Sequence, residues 1–404
     1  MASTNESEIV LDLSRLLSRV LHATPTGVDR CEMAYARGLL NQSAERLSFA
    51  AVHPTGLYGR LEGNAVRRFL DATEERWHNR DVRSKTEARK FAAKNLVALF
   101  PRKIARDNSR SRPIYVQASP NNLTRPNLVA RILRQEDARF VCLVHDLIPL
   151  QFPEYAREGG AEDHEIRVRT IVRHAEGLVC NSHATLGALQ PWFDRLNRSP
   201  TAVVANLGTH VPSLSAAADR NGRPYFICIG TIEPRKNHLL LLHLWRKMSE
   251  MRGPENIPKL IIVGRRGWEN EQVVDMLERC VILKGCVEEY GRAGDQELQS
   301  LLAGARALLM PSFAEGYGMP VSEAMALNVP VVCSDLPALH EAGSSIPQYL
   351  DPLDGAAWLQ AIDDLCSERS SLAAIQAQAR LSWSPPAWDE HIAILLNLIH
   401  RLHP

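Results

Sequence analysis

Two glutamates flank a glycine-rich turn in the stretch FAEGYGMPVSEAMA, residues 313–326. Glu315 lies before the turn and Glu323 lies about one helical turn beyond it, while Pro320 suits the first turn of the helix between them. Gly318 permits a close approach of the backbone. The N–H groups at a helix start attract anions, whereas carboxylates accept hydrogen bonds from hydroxyls. The stretch therefore predicts a diphosphate site with a sugar-binding acid on each side, unless the acids only cap the helix.

Two cations form a second cluster in IGTIEPRKNHLLLL, residues 229–242. The strand-like run YFICIG ends at Gly230, and a helix is predicted from about residue 237 or 238, so Arg235 and Lys236 fall in the loop between them. Paired cations neutralise the charge of a departing diphosphate, a task that a metal performs elsewhere. The sequence contains no Asp-x-Asp pair, so we expect no metal. An ordinary basic loop is the alternative.

A histidine and a lone glycine are weaker candidates in the first half. His145 ends the apolar run FVCLV and could donate a hydrogen bond to a sugar hydroxyl or steady positive charge at a reacting carbon, although a structural role is as common. Gly27, in PTGVDR, is predicted in a loop before a helix, where the backbone could approach a phosphate or sugar. It does not match G-x-G-x-x-G, so dinucleotide binding is poorly supported.

The elements that must position these residues alternate between short apolar runs and longer helical patterns. Runs that are apolar throughout indicate parallel strands covered on both faces, and their repetition indicates an α/β fold with doubly wound sheets. The predicted strands are residues 8–13, 46–52, 113–119, 139–146, 177–182, 201–208, 225–231, 259–264, 281–285, 307–312 and 330–335.

The 404 residues exceed one compact core, and a Pro-, Ser- and Gly-containing break at 209–224 predicts two domains. We expect an N-terminal Rossmann-like domain over 1–208, a linker over 209–224 and a C-terminal Rossmann-like domain over 225–385. The amphipathic segment 386–404 is expected to form a helix that packs back on the N-terminal domain.

Overall composition names no partner, since 47 basic and 46 acidic residues give a net charge of +1. Residues 75–112 are locally basic, with twelve Lys and Arg against four acids. This region suits a solvated helical face, an anionic membrane surface or an anionic acceptor; no nucleic-acid partner is expected. Scattered cysteines in strand-like runs indicate buried free thiols, and no signal-like segment is evident. These features predict a cytoplasmic protein, peripheral on the inner membrane face.

The ordered motifs GTIEPRKNH, IIVG, LKG, ALLMPSFAEGYGMPVSEAMALNVPVVCSD and SWSPPAW, over about residues 225–390, resemble glycosyltransferase family 4. The resemblance implies the GT-B fold, in which two Rossmann-like domains face each other across a cleft and the C-terminal helix crosses back. PTGVDR, VHDLIPLQFPEY and CNSHAT are similar to a bacterial subgroup that builds cell-surface polysaccharide, many of whose members transfer mannose or rhamnose.

The family pattern implies a role for each matching residue. It places Glu315 near the donor sugar and Glu323 on the ribose of the nucleotide, and it assigns Arg235 and Lys236 to the diphosphate. His145 matches the family's N-terminal histidine. The remaining donor-binding positions are Gly27, Gly230, Tyr317, Gly318, Met319 and Pro320. This sequence departs from the pattern at Gly27, where paired glycines are frequent, and over residues 285–298, a longer link in a region that often contacts the base.

The sequence therefore predicts a retaining, metal-independent glycosyltransferase without a cofactor. It would move a hexose, best matched by mannose from GDP-mannose, onto a glycan or lipid-linked oligosaccharide. A UDP- or dTDP-sugar donor carrying glucose, GlcNAc or rhamnose is the first alternative. A nucleotide-sugar epimerase of the same fold and a two-lobed binding protein are the others.

Overall fold

The chain folds into two compact units. The computed structural model describes residues 7–78, 85–102, 112–210, 222–291 and 293–402. The first unit comprises residues 1–150, 159–207 and 387–404, and the second comprises 151–158 and 208–386. The segment 151–158, which the sequence places in the first domain, thus belongs to the second unit. Of the predicted linker 209–224, residues 211–221 lie outside the described residues.

Each unit is built on one sheet. The strands are β1 (Ile9–Asp12), β2 (Leu47–Val52), β3 (Tyr58–Leu61), β4 (Ile114–Gln117), β5 (Arg139–Val144), β6 (Ala175–Cys180) and β7 (Thr201–Val204) in the first unit, and β8 (Tyr225–Ile229), β9 (Lys259–Val263), β10 (Val287–Tyr290), β11 (Leu308–Met310), β12 (Val331–Ser334) and β13 (Gln348–Leu350) in the second.

Helices connect most of these strands. They are α1 (Ser14–Ser18), α2 (Gly27–Gln42), α3 (Gly63–His78), α4 (Lys85–Ala98), α5 (Pro126–Glu136), α6 (Ile148–Gln151), α7 (Gly160–His174), α8 (His183–Leu196), α9 (His238–Arg252), α10 (Glu271–Arg279), α11 (Asp295–Gly304), α12 (Met319–Ala326), α13 (Pro337–Gly343), α14 (Gly355–Cys366), α15 (Ser371–Arg380) and α16 (Trp388–Arg401). Short 3₁₀ turns cover Ala44–Arg46, Pro153–Tyr155, Pro234–Lys236 and Val281–Leu283. No described helix has the length and apolar character to cross a membrane.

The strand orders are those of doubly wound sheets. The first sheet runs β3-β2-β1-β4-β5-β6-β7 and the second runs β10-β9-β8-β11-β12-β13. All strand pairs are parallel except β2 with β3, which is antiparallel. The order reverses between β1 and β4 in the first sheet and between β8 and β11 in the second. Loops diverge at such a switch point, and the crevice between them is where α/β sheets bind ligands.

Ten of the eleven predicted strands are present, and one is wrong. The run at 281–285 contains a 3₁₀ turn, Val281–Leu283, instead of a strand, and β10 follows it at Val287–Tyr290. The sequence also did not predict β3 and β13. The three strands that the sequence missed are β3, β10 and β13. Buried and half-buried residues alternate in β3, and β10 and β13 are half-buried throughout, so none has the continuous apolar run that marked the others. All eight cysteines are free thiols, and six of them are buried.

Helix α16 packs on the first unit. Its buried histidine, His391, contacts the Tyr35 hydroxyl through Nε2 at 2.8 Å and the Asn206 carbonyl through Nδ1 at 3.0 Å. A carbonyl only accepts, so Nδ1 carries the proton and Nε2 accepts from Tyr35. Burial lowers the pKa of His391 to about 4, which keeps the ring neutral. A Cβ at Gly38 of α2 would lie 2.5 Å from Ile392, so a larger residue would separate α2 from α16.

Two buried carboxyl groups lie near the end of β1. Asp12 accepts from the backbone N–H and the hydroxyl of Ser14, at 3.0 and 2.8 Å, and from the hydroxyl of Tyr115. Glu32 of α2 is fully buried and accepts from the Leu16 N–H at 2.9 Å, which fixes α1 against α2. Burial, reinforced by the nearby Asp12, raises the pKa of Glu32 to about 8. Glu32 is therefore protonated in the folded protein at neutral pH.

The raised pKa of Glu32 predicts that the first unit loses stability as pH rises. Between pH 4.5 and about 8 the unfolded chain has released a proton that the folded chain keeps, so the free energy of unfolding falls by about 1.4 kcal/mol per pH unit from this group. Glu32→Gln removes this dependence. In urea unfolding, the free energy of unfolding of Glu32→Gln minus that of the original protein should rise by about 3 kcal/mol between pH 5 and pH 7.5. The matched control is Glu45→Gln, at an exposed carboxyl of the same unit. Parallel stability curves for the original protein and Glu32→Gln would contradict the assignment.

Candidate functional site

The loops that follow β8 and β11 lie side by side at the switch point of the second sheet. Strand β8 pairs with β11 through Ile227 and Leu308. Parallel neighbours end at the same sheet edge, so the loop after Ile229 and the loop after Met310 emerge together. The Phe313 N–H donates to the Arg235 carbonyl at 2.7 Å, and this bond ties the two loops to each other.

Four charged side chains meet between these loops. The Lys236 ammonium donates to Oε1 of Glu315 at 2.6 Å, and Nη1 of Arg235 donates to Oε2 at 2.9 Å. On its other side, Nε of Arg235 pairs with Oε1 of Glu233 at 2.6 Å. Nη1 of Arg235 also donates to the Ala314 carbonyl at 2.8 Å. The cluster therefore holds two positive and two negative groups in one connected network.

Glu315 is the centre of this network. Its side chain is only 7% exposed. Burial by itself would raise the pKa of Glu315, but Lys236 and Arg235 outweigh that effect and lower it to about 2. Glu233 is also buried, and burial raises its pKa although Arg235 and Lys236 oppose the shift. Glu315 is thus an ionised carboxylate with a cation on each oxygen.

Gly230 makes room for the lysine of the cluster. Its φ of +148° lies in a region that residues with a side chain rarely adopt. A Cβ there would lie 3.2 Å from Cε and 3.4 Å from Nζ of Lys236. The predicted donor-binding glycine therefore acts, in this structure, by letting the Lys236 side chain pass close to the end of β8.

Helix α12 begins where the sequence predicts. Gly318 precedes it with φ +108°, and Pro320 occupies the first turn. The backbone N–H groups of Tyr317, Gly318 and Met319 donate to no acceptor in the described part of the chain. Three consecutive unpaired donors beside a helix N-terminus are suited to an anion such as a phosphate. The Tyr317 side chain is buried, so its contact with a ligand would come from the backbone.

The second acid of the glycine-rich stretch 313–326 lies further along α12. Glu323 is the fifth residue of α12 and is half-buried, while Met319 and Pro320 at the helix start are also half-buried. The structure places all the predicted residues from 230 to 323 in the second unit, and direct contacts join Arg235, Lys236 and Glu315 among them. The full set is Gly230, Arg235, Lys236, Glu315, Tyr317, Gly318, Met319, Pro320 and Glu323.

The two remaining predicted residues belong to the first unit. His145 follows β5, and its Nε2 lies 2.8 Å from the Ala118 carbonyl. The carbonyl can only accept, so Nε2 carries the proton. Burial lowers the pKa of His145, so Nδ1 stays unprotonated and its lone pair can accept from a hydroxyl. In this state the Nε2–H donates to the Ala118 carbonyl, and the predicted role of His145 toward a sugar hydroxyl stays a prediction.

Gly27 is the first residue of α2, whereas the sequence placed it in a loop. The helix is capped by Thr26 and Asp29, whose side chains and backbones bond reciprocally. Asp29 also accepts from Nε of Arg15 at 2.6 Å and Nε of Arg19 at 2.8 Å, and so fixes α1 to the start of α2. The motif PTGVDR therefore has a structural explanation, for which the spacing T-x-x-D of a capping box was the available signal.

Sequence reasoning missed Glu233. It lies inside the quoted motif GTIEPRKNH, two residues before Arg235, and only the buried contact reveals its connection to the cluster. Among all the described residues, His, Cys, Asp and Glu side chains form no group of three or more that could hold a metal ion.

Comparison with known proteins identifies the segment that contains the cluster. The family model described as glycosyl transferases group 1 matches residues 223–368. Residues 223–368 are therefore similar to the group 1 glycosyltransferases. The charged cluster, Gly230 and the start of α12 all lie within this matched segment, and His145 and Gly27 lie outside it.

Relatives of the chain include O-antigen enzymes. Serotype-specific mannosyltransferase WbdA of Escherichia coli is 30% identical over 247 residues, covering 55% of this chain and 29% of WbdA. O-antigen chain mannosyltransferase B of Escherichia coli is 37% identical over 167 residues, covering 39% of this chain and 42% of that protein. Each match spans less than half of the relative's length.

A solved structure shows the fold over nearly the whole chain. Anabaena HepE in complex with UDP-glucose is similar with a TM-score of 0.64 at 15% identity, covering 98% of this chain and 99% of HepE. The two Rossmann-like units are those of the GT-B fold, as the sequence predicted.

The start of α12 gives a test of the site's backbone. Gly318→Ala would force a side chain into φ +108° and place Cβ 2.5 Å from Cδ2 of the buried Leu339. We expect unfolding to become easier by about 3 kcal/mol, from backbone strain and overpacking together. Gly56→Ala is the matched control because φ is +86° but nothing lies within 4 Å, so only the strain of about 1 kcal/mol remains. Equal losses for the two variants in urea unfolding would refute the packing argument.

Proposed function

We propose that this chain is a retaining, metal-independent hexosyltransferase. It moves a hexose from a nucleoside diphosphate sugar to a hydroxyl of a glycan or lipid-linked oligosaccharide in cell-surface polysaccharide synthesis. The observation that carries the proposal is the cluster of Arg235, Lys236 and Glu315 beside the unpaired N–H groups of residues 317–319, inside the segment similar to the group 1 glycosyltransferases.

The cluster accounts for how the diphosphate leaves. When the bond from the anomeric carbon to the phosphate oxygen breaks, its electron pair stays on that oxygen. Positive side chains and fixed N–H groups stabilise this charge, and each such contact contributes about 3 kcal/mol to lowering the barrier. The acceptor oxygen bonds to the anomeric carbon on the same face, and its proton passes to the departing phosphate oxygen. Atoms and charge balance without a metal or an enzyme-bound intermediate.

The electrostatics of Glu315 favour this front-face route over double displacement. A carboxylate with a pKa of about 2 and a cation on each oxygen is a weak nucleophile and a weak base. Glu315 is better suited to orient Lys236 and Arg235 and to accept a hydrogen bond from a donor hydroxyl. Glu323, one turn into α12, is proposed to hold the ribose. Nδ1 of His145 is proposed to accept from a sugar hydroxyl.

Mannose from GDP-mannose is the proposed donor. The support is that WbdA and O-antigen chain mannosyltransferase B are named as mannosyltransferases. The alternative is a UDP- or dTDP-sugar, and the complex of HepE with UDP-glucose gives a specific reason to include it. An epimerase of the same fold would use the donor without an acceptor.

The catalytic proposal predicts that loss of one cation nearly abolishes transfer. Lys236→Met and Glu315→Gln should each lower kcat about a hundredfold or more, because each removes a charge contact to the leaving group or its support. Transfer is measured with GDP-mannose, UDP-glucose and a dTDP-sugar, with the product anomer identified by NMR. The matched controls, Arg252→Met and Asp363→Asn, break an ion pair of 2.6 Å between α9 and α14 and should keep full activity. Near-normal kcat for Lys236→Met, or inversion at the anomeric carbon, would refute the mechanism.

We further propose that the first unit docks on an anionic membrane surface, on the cytoplasmic side, through what we call the α4 surface. It consists of the exposed residues Arg89, Lys90, Lys94, Val97 and Phe100. Val97 is 77% and Phe100 45% exposed, so basic and apolar side chains occur on one short segment. Cations attract anionic headgroups and apolar groups enter the interface. Much of the remaining basic stretch, residues 79–84 and 103–111, lies outside the described residues.

Charge reversal tests the α4 surface. Lys90→Glu with Lys94→Glu should weaken binding to vesicles containing about one-third anionic lipid by about thirtyfold or more, since each basic residue contributes about 1 kcal/mol. Lys247→Glu with Lys284→Glu makes the same charge change at exposed positions of the second unit and should bind normally. Vesicle sedimentation at low salt measures both. Binding of the original protein that does not depend on anionic lipid would exclude the proposal.

A further inference from the structure

The buried carboxylate of Glu233 belongs to the charged cluster but has no role in the transfer step described above. We infer that Glu233 is a positioning residue, which fixes the guanidinium of Arg235 so that its other edge meets Glu315 and the diphosphate. This inference rests on the proposed function, because it concerns the geometry of the same donor site.

Three contacts hold the guanidinium of Arg235 in one plane. Nε pairs with Glu233 at 2.6 Å, and Nη1 donates to Glu315 at 2.9 Å and to the Ala314 carbonyl at 2.8 Å. An arginine on an open loop would sample many rotamers, and binding a ligand would then cost the entropy of ordering it. Contacts at two separate nitrogens remove most of that freedom before a ligand arrives.

The backbone near Glu233 is built to aim its side chain. Glu233 is extended, with φ −145° and ψ 158°, and it precedes the 3₁₀ turn Pro234–Lys236. The Lys236 N–H donates to the Glu233 carbonyl at 3.0 Å, which closes the turn and brings both cations to the same side. The same residue therefore shapes the turn with its backbone and orients Arg235 with its carboxylate.

Glu233 is buried, and the burial of its carboxylate costs desolvation free energy that its contacts must offset. The residue is 5% exposed, and removing a carboxylate from water is unfavourable unless it is paired. A buried pair often contributes little net stability compared with an apolar pair of the same size. Its more direct effect here is geometric, since a displacement of about 1 Å at a charge contact can lower a rate about a hundredfold.

A double-mutant cycle separates positioning from a general structural role. If Glu233 acts only through Arg235, Glu233→Ala should lower kcat about a hundredfold in the original protein and have almost no further effect in Arg235→Ala. Glu233→Gln keeps an oxygen that can accept from the Arg235 Nε–H, so its kcat should be at least tenfold higher than that of Glu233→Ala. Donor KM should change less than threefold, because the contact acts mainly on the leaving charge. If the variant with both Glu233→Ala and Arg235→Ala loses kcat by the product of the two single losses, the inference is overturned.

Controls distinguish this outcome from misfolding and from failure of the proposed function. Glu136→Ala removes the partner of a comparably buried pair with Arg60, at 2.7 Å in the first unit, and should leave kcat unchanged. Without transfer by the original protein, the proposed function fails, but the geometry can still be tested by NMR. The Arg235 Nε–H signal, assigned by its loss in Arg235→Lys, should be protected from water exchange and lose that protection in Glu233→Ala. Equal exchange in both proteins would overturn the positioning role independently of activity.

Discussion

The two cations on the buried carboxylate of Glu315 hold the two loops of the candidate site together. Oε1 of Glu315 pairs with Lys236 and Oε2 pairs with Arg235. Both cations lie in the loop after β8, whereas Glu315 lies in the loop after β11. Because these ion pairs are largely removed from water, the attraction between the charges is strong, and leaving one charge without its partner would be unfavourable. The loops after β8 and β11 must therefore stay together, and the second of these loops leads directly into α12.

This arrangement explains why opposite charges share one site. A pair of bare cations would bind any anion, whereas cations already neutralised by Glu315 and Glu233 favour a ligand that can both accept from them and donate to a carboxylate. A nucleoside diphosphate sugar has both kinds of group, phosphate oxygens and sugar hydroxyls. The switch point of the sheet supplies the crevice, and Gly230 leaves the space through which Lys236 enters it.

Sequence predicted the sheets better than the contacts. Strands such as β9 and β12 are buried over most of their length and contain runs of at least three apolar residues. The segment VIL at 281–283 is equally apolar but forms a 3₁₀ turn against α9. The loops carrying Arg235 and Glu315 could be located because they follow strands. Their ion pair could not, since it joins residues 80 positions apart and depends on the register of β8 and β11. Glu233 was overlooked because an acid in a loop is normally solvated.

The central claim, that this cluster and the start of α12 receive a diphosphate, is tested most directly by an experimental structure with a bound nucleoside diphosphate. GDP should be used first, followed by UDP and dTDP. The account predicts phosphate oxygens within about 3 Å of the N–H groups of residues 317–319 and of the Lys236 ammonium, with the ribose hydroxyls on Glu323. A diphosphate bound away from both the cluster and the α12 start, with Glu315 still holding both cations, would contradict it.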